Sequence, residues 1–342
     1  MSFLLPIAKW IAKSDTQHKM APRSQAQPTV EWQVNGLCNY DCTYCIQSRK
    51  SRVGYPDTAT IDAIVGGLGT LPGVWEVKMS GGEVFAFKGF IDHVVPQMMH
   101  RTAHVISVLT NFSAPIHVLR RFSELTGPRL RITSASFHPD TASLDEFLAK
   151  AIEYRDCRES NNPDSSFVVN VVLVPGSVSH HFRYRDALND AGLRYFPQLM
   201  KIRGGVYPYD ESEIAMIAEI TGGSCNPREV NRAPNYQGLF CEAGMSYFIV
   251  DQKGEAYTCR TAKKYSGVDD AYAADDDEDA VNGQDDFKAK ARLGSFVRGD
   301  FQLFREGGLC PYSICPCTVP ANRGIVHLPP HAKAPTEEEF DA

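Results

Sequence analysis

Cys38, Cys42 and Cys45 stand close together in the run CNYDCTYC. Three thiolates at this spacing can hold three irons of a [4Fe–4S] cube and leave the fourth iron without a protein ligand. An iron with open positions is a chemical site, whereas a cluster held by four thiolates is closed and mostly passes electrons. Zinc is the competing reading. A structural zinc is almost always four-coordinate, and the nearest histidines, His18 and His93, lie outside this loop.

A second group of cysteines lies towards the other end of the chain. Cys241 and Cys259 flank a segment that reads as two short strands joined by a turn at Asp251–Gly254. Cysteines on either side of a hairpin come together across it, which suits two ligands of one site. Cys310, Cys315 and Cys317 follow in the proline-braced run CPYSICPC and offer further ligands. Five thiols suffice for one auxiliary [4Fe–4S] cluster with one left over, and four of them also suit zinc. Of the remaining cysteines, Cys225 in the run GGSC is a candidate metal ligand or hydrogen-atom donor, and Cys157 falls on a helical pattern.

The elements that must position these groups show as alternation in the middle of the chain. Strand-like segments are Val30–Val34, Val74–Met79, Val105–Leu109, Leu130–Ser136, Phe167–Val174 and Arg194–Leu199. Between them run helical patterns at Thr58–Leu71, Phe90–His100, Pro115–Leu125, Leu144–Arg155 and His180–Ala191. Apolar runs rich in Val and Ile, each followed by a helix-length connection, predict parallel strands covered on both faces. Six such units are too few for a closed eight-unit barrel. The expected fold class is α/β.

Several strand ends carry residues able to bind. Gly81 and Gly82 allow close backbone approach, and the Glu83 carboxylate can accept from an ammonium group. Thr110 and Asn111 end the third strand. Ser134 and Ser136 share one face of the fourth by strand alternation, and Phe137-His138-Pro139 follows, with His138 a candidate contact or acid/base group.

The CxxxCxxC spacing with Tyr44 before the last Cys resembles the cluster loop of the radical SAM superfamily. GGE at Gly81, Gly82 and Glu83 resembles that family's motif for the amino group of S-adenosylmethionine (SAM); Val84 departs from it, since Pro is usual there. The resemblance implies a partial (β/α)6 TIM barrel with its chemistry at the C-terminal strand ends. It implies a SAM-binding [4Fe–4S] cluster on Cys38, Cys42 and Cys45, with SAM contacts at Tyr44, Thr110, Asn111, Ser134 and Ser136. Cys, twelve residues, Gly, four residues, Cys and a distal cysteine group resembles the twitch and SPASM extensions, which hold auxiliary clusters; the distal spacing departs from the usual CxxC. The implied organisation is an extension over 1–29, a radical SAM core over 30–205, and an auxiliary-cluster domain over 206–326. An acidic loop at 267–288 and a disordered tail over 327–342 complete it.

The activity so implied is reductive cleavage of SAM to methionine and a 5′-deoxyadenosyl radical, which then abstracts a substrate hydrogen. An electron donor such as flavodoxin or ferredoxin would serve it. The stretch before the first strand is short for the leader-binding module of many peptide-modifying members. That tilts the expectation towards a small metabolite, with a peptide or protein as the alternative substrate. The alternative of another class is a non-catalytic iron–sulfur or zinc protein. A formal net charge of -6 argues against nucleic acid as a partner. Cysteines bunched at metal-ligand spacing point to a reducing, cytoplasmic compartment. The opening MSFLLPIAKWIAK, broken by Pro6, lacks the h-region of a signal peptide, and no uninterrupted apolar stretch is long enough to span a membrane.

Overall fold

Six strands, β1 (Thr29–Asn35), β2 (Glu76–Gly81), β3 (Val105–Thr110), β4 (Leu130–Phe137), β5 (Ser166–Leu173) and β6 (Arg194–Leu199), lie side by side in chain order. Every neighbouring pair among them is parallel. The computed structural model describes residues 27–45, 47, 54–202, 205–224, 229–231, 233–265, 291–312, 315 and 323–327. The acidic loop, Cys225 and Cys317 lie outside the described residues, as do almost all of the N-terminal extension and nearly the whole tail.

Each crossover carries a helix: Thr58–Leu68, Val95–Arg101, Ile116–Thr126, Leu144–Asn161 and His180–Asp190. Local sequence sets their starts. Asp57 accepts from the Thr60 amide, and Ser143 from the Glu146 amide, satisfying donors that a first turn leaves unpaired. The second expected helix, Phe90–His100, is two pieces. Phe90–Val94 forms a wider π turn before Val95–Arg101. Pro96 has no N–H to give to the carbonyl four residues back, so the regular ladder cannot run through it. Strand β2 starts later than Val74, which is exposed, and runs on to Gly81.

A helix at Glu211–Ile220 follows β6 and was not among the expected elements. Its signal is nonetheless present. Asp210 accepts from the Glu213 amide, and Ile217 and Ile220 pack with Leu173 and Val178. The hairpin bracketed by Cys241 and Cys259 forms as expected, with strands Tyr247–Val250 and Glu255–Tyr257 antiparallel. Tyr247–Val250 also pairs in parallel with β1, and Arg292–Ser295 adds beyond Glu255–Tyr257. The result is one nine-stranded sheet whose edges are β6 and Arg292–Ser295.

The two faces of this sheet differ. Val30, Trp32, Val34, Val77, Met79, Ile106 and Val108 pack on Ile61, Ile64, Val65 and Leu68 of the first helix and on Val94, Val95 and Met98. Each such buried side chain contributes about 1.5–3 kcal/mol. By alternation, Glu31, Gln33, Asn35, Lys78, Ser80, Ser107, Ser134, Ser136 and Asn170 lie on the opposite face. Helices cover only the outer face of a curled sheet, and the inner face is free to be polar. Among the described residues no helix is long and apolar enough to cross a membrane.

Candidate active site at the C-terminal strand ends

The loop that carries the three clustered cysteines is pinned where β1 ends. Asn35 donates through Nδ2 to the carbonyls of Leu37 (2.8 Å) and Glu83 (3.1 Å). In return the Gly82 amide donates to Asn35 O, and the Glu83 amide to Leu37 O. A Cβ on Gly82 would lie 2.0 Å from Leu37 O and 2.7 Å from Cys38 N, and one on Gly81 2.2 Å from Asn35 O. The two glycines thus permit close backbone approach, but the backbone that approaches is that of the cysteine loop.

Glu83 is fully buried. Its carboxylate accepts from Thr110 Oγ1 (2.7 Å), the Asn111 amide (2.5 Å) and the Phe85 amide (3.1 Å). Burial pushes its pKa up to about 7, against the lowering effect of those bonds. The group expected to meet an ammonium ion therefore ties the end of β2 to the end of β3. Phe112, just beyond, is a buried non-glycine residue at φ 60. Such a left-handed conformation persists only where its surroundings enforce it, and here the ring packs against Phe147, Tyr154 and Phe167. The turn aims Asn111 Nδ2 at Asn39 Oδ1 (2.9 Å) and Cys38 Sγ (3.8 Å).

Cys38 and Cys42 are half-buried and Cys45 is exposed. Burial, then the neighbouring Cys45 and Cys38, push the Cys42 thiol up. A thiol raised in this way by neighbouring thiols suits a cationic centre, which reverses that repulsion. Among the described residues no three His, Cys, Asp or Glu side chains converge on the point one ion would occupy. An iron–sulfur cube makes no such demand, since each thiolate meets a different iron. The donor set therefore fits a cluster.

His138 sits over Cys42. Its Nδ1 lies 2.8 Å from Tyr44 Oη and 3.5 Å from Cys42 Sγ. Tyr44 stacks on the imidazole and Tyr40 meets it edge-on. Burial lowers the His138 pKa to about 4 and raises that of Tyr44. Of the two expected roles, a contact or an acid/base group near neutral pH, the lowered pKa speaks against the second, and the imidazole is engaged with the loop. Ser134 and Ser136 both occupy the inner face of β4, and Ser134 Oγ accepts from Asn170 Nδ2 (3.2 Å).

The C-terminal thiols gather on one apolar cluster. Cys241, Cys259, Cys310 and Cys315 pack against the group containing Tyr236, Tyr247, Ile249, Tyr257, Ile325 and Val326. Strand Phe240–Cys241 is paired on both sides, by Gly308–Leu309 and Val326–His327. The Cys310 amide donates to Leu239 O and the Cys315 amide to Pro234 O, fixing the distal run against the segment that precedes Cys241. Burial pushes the Cys310 thiol up.

Sequence reading missed Asn35, Asn39 and Asn170, which hold the candidate residues. Their signal was position: Asn35 ends β1, Asn39 follows Cys38, and Asn170 stands beside Ser136 in the β4–β5 register. Glu31 was also missed; it is buried on the inner face and paired with Arg260 and Lys78.

No protein-family profile and no curated protein matches the chain. Solved structures do. His-tagged anSMEcpe with bound AdoMet aligns at a TM-score of 0.50 and 14% identity, over 79% of this chain and 78% of that one. SuiB from Streptococcus suis, bound to S-adenosylmethionine, aligns at 0.50 and 13%, over 87% of this chain and 70% of that one. BtrN in complex with AdoMet and 2-DOIA gives 0.41 and 13%, over 80% of each chain. The parallel strands in chain order, the cysteine loop at the end of β1 and the likenesses to anSMEcpe and SuiB lead to one conclusion: the chain has the partial α/β-barrel fold of the radical SAM enzymes.

Proposed function

We propose that this chain is a radical SAM enzyme that cleaves S-adenosylmethionine and abstracts a hydrogen atom from a small polar metabolite. The observation that supports this most is the seat of the Cys38–Cys45 loop, bound to the ends of β1, β2, β3 and β4 through Asn35, Gly82, Asn111 and His138. A [4Fe–4S] cluster on the three thiolates would supply one electron to SAM, giving methionine and a 5′-deoxyadenosyl radical that takes the substrate hydrogen. The chain's own part is to orient SAM and the substrate over the polar inner face. Ser134 and Ser136 would bond the ribose or carboxylate, and Tyr44 would meet adenine through its backbone. Gln33, Lys78 and Asn170, on the same inner face, suit a small polar substrate. A peptide is the second substrate class; SuiB has been solved with its precursor peptide SuiA. Cys241, Cys259, Cys310 and Cys315 would hold an auxiliary cluster, and a flavodoxin or ferredoxin would deliver the electron.

Anaerobic reconstitution with iron and sulfide, then dithionite and SAM, tests the class. Formation of 5′-deoxyadenosine and methionine is expected; an intact cluster that yields neither would make the chain an electron carrier. Glu83→Gln tests whether that carboxylate also meets the ammonium group: SAM affinity falls if it does and holds if Glu83 only ties β2 to β3.

A further inference from the structure

Cys42 differs from its two partners in what surrounds its sulfur. Cys45 is exposed, and Cys38 receives the Tyr40 amide and the Asn111 side chain. Cys42 Sγ instead faces a closed group of side chains, His138 Nδ1 at 3.5 Å and, bonded to that same nitrogen at 2.8 Å, Tyr44 Oη. The imidazole has little freedom to leave. Its ring lies between Tyr44, stacked with centroids 5.9 Å apart, and Tyr40, edge-on at 5.7 Å. Its carbonyl accepts from the amides of Thr141 and Ala142 and from Thr141 Oγ1, which closes the turn after β4.

A metal-bound thiolate can only accept hydrogen bonds. With the ring proton on Nδ1, His138 and Tyr44 provide two donors for the two acceptors present, the Cys42 sulfur and the Tyr44 oxygen. Hydrogen bonds to cluster sulfurs favour the more negative, reduced state and so raise the reduction potential.

We infer that Tyr44 and His138 are a positioning pair that hydrogen-bonds the Cys42 thiolate and raises the reduction potential of the N-terminal cluster. The pair joins a residue of the cysteine loop to the residue after β4, so it also sets the distance between the loop and the serines of that strand. Neither side chain has to touch the substrate for this role. The inference rests on the reading of Cys38, Cys42 and Cys45 as cluster ligands.

The test is a redox titration of the reconstituted full-length protein, following the electron paramagnetic resonance signal that changes when SAM is added. Tyr44→Phe keeps the ring and removes the hydroxyl; His138→Leu removes the nitrogen; His138→Asn keeps an N–H donor near the Nδ1 position. Tyr44→Phe and His138→Leu are expected to shift the midpoint to more negative potential. An expected size is about tenfold in the one-electron equilibrium, which is about 59 mV. His138→Asn is expected to stay near the parent value. Unchanged midpoints in Tyr44→Phe and His138→Leu would overturn the inference, as would a His138→Asn midpoint matching that of His138→Leu. If His138→Leu does not fold, Tyr44→Phe decides, because its ring packing is intact. A parent protein with no SAM-responsive cluster would instead defeat the underlying reading.

Discussion

Around Cys38 and Cys42 the neighbours are polar side chains and backbone amides, and one thiol of the three is exposed. Around Cys241, Cys259, Cys310 and Cys315 the packing is against tyrosines and aliphatic residues, the Ala262 amide donates to Cys259 Sγ, and backbone bonds together with Gln237 Nε2 hold the distal run. One side-chain chemistry therefore stands in two settings. Polar, partly open surroundings leave room for a ligand and supply hydrogen bonds that tune a reacting centre. Apolar surroundings lower the local polarity around a centre, and here the four thiols are half-buried like Cys38 and Cys42. The loop site is assembled from four strand ends, so its geometry depends on the barrel. The C-terminal site depends on one hairpin and the short strands beside Cys241.

The largest effect should come from Cys38, Cys42 and Cys45 replaced together by Ala. SAM cleavage is expected to vanish while the C-terminal metal stays, so iron falls from about eight to about four per chain, as two cubes become one. Any 5′-deoxyadenosine from that protein would break the contrast between the sites. Single Ala variants of Cys310 and Cys315 should do the reverse, each losing about four irons and keeping SAM binding. If Cys310 and Cys315, which pack on the same apolar group as Cys241 and Cys259, are the two distal ligands, Cys317→Ala should lose none. Zinc in place of iron at this site, in anaerobically purified protein, would defeat the auxiliary-cluster half of the comparison and spare the other.

Smaller changes should separate the sites by stability. A methyl group at Gly82 meets the Leu37 carbonyl at 2.0 Å, whereas one at Gly308, beside Cys241, meets nothing within 4 Å. Gly82→Ala should cost about 1–3 kcal/mol in thermal or denaturant unfolding and loosen the N-terminal cluster. Gly308→Ala should stay within about 0.5 kcal/mol. Equal costs would mean that the close approach at β2 does not hold the loop.

The last contrast is with pH. An unfolded Glu83 titrates near its ordinary 4.5 and the folded one at about 7. Between those values the folded chain binds the extra proton, so stability falls as pH rises through the window. At about 1.4 kcal/mol per unit the loss reaches about 3 kcal/mol. Unfolding of the metal-free protein from pH 4.5 to 7 should show this fall, and Glu83→Gln should flatten it. A parent curve with no fall there would mean that the Thr110, Asn111 and Phe85 donors outweigh the burial of the carboxylate.

Much of this was legible without the fold. The runs CNYDCTYC and Ser80-Gly81-Gly82-Glu83 stand out because metal ligation and close backbone approach each demand particular residue types at short spacing. The six strands show because short apolar runs rich in Val and Ile are each followed by a connection of helix length. The hairpin shows because Asp251 and Gly254 carry turn chemistry, with Asp251 Oδ1 accepting from the Lys253 and Glu255 amides.

What residue order determined by itself is therefore whatever short-range chemistry enforces: the cysteine loop, the glycine pair, the helix caps at Asp57 and Ser143, and the alternation of the strands. Tertiary structure alone decided which distant groups meet. Glu83 closes on Thr110 and Asn111 rather than lying open, His138 reaches Cys42 and Tyr44 across almost a hundred residues, and the Tyr247–Val250 strand pairs with β1. Those pairings depend on burial and on the curl of the whole sheet, which no local spacing encodes. The same burial holds the Glu83 carboxyl up near neutrality and the His138 imidazole down in the acid range, so the charges at this site belong to the fold.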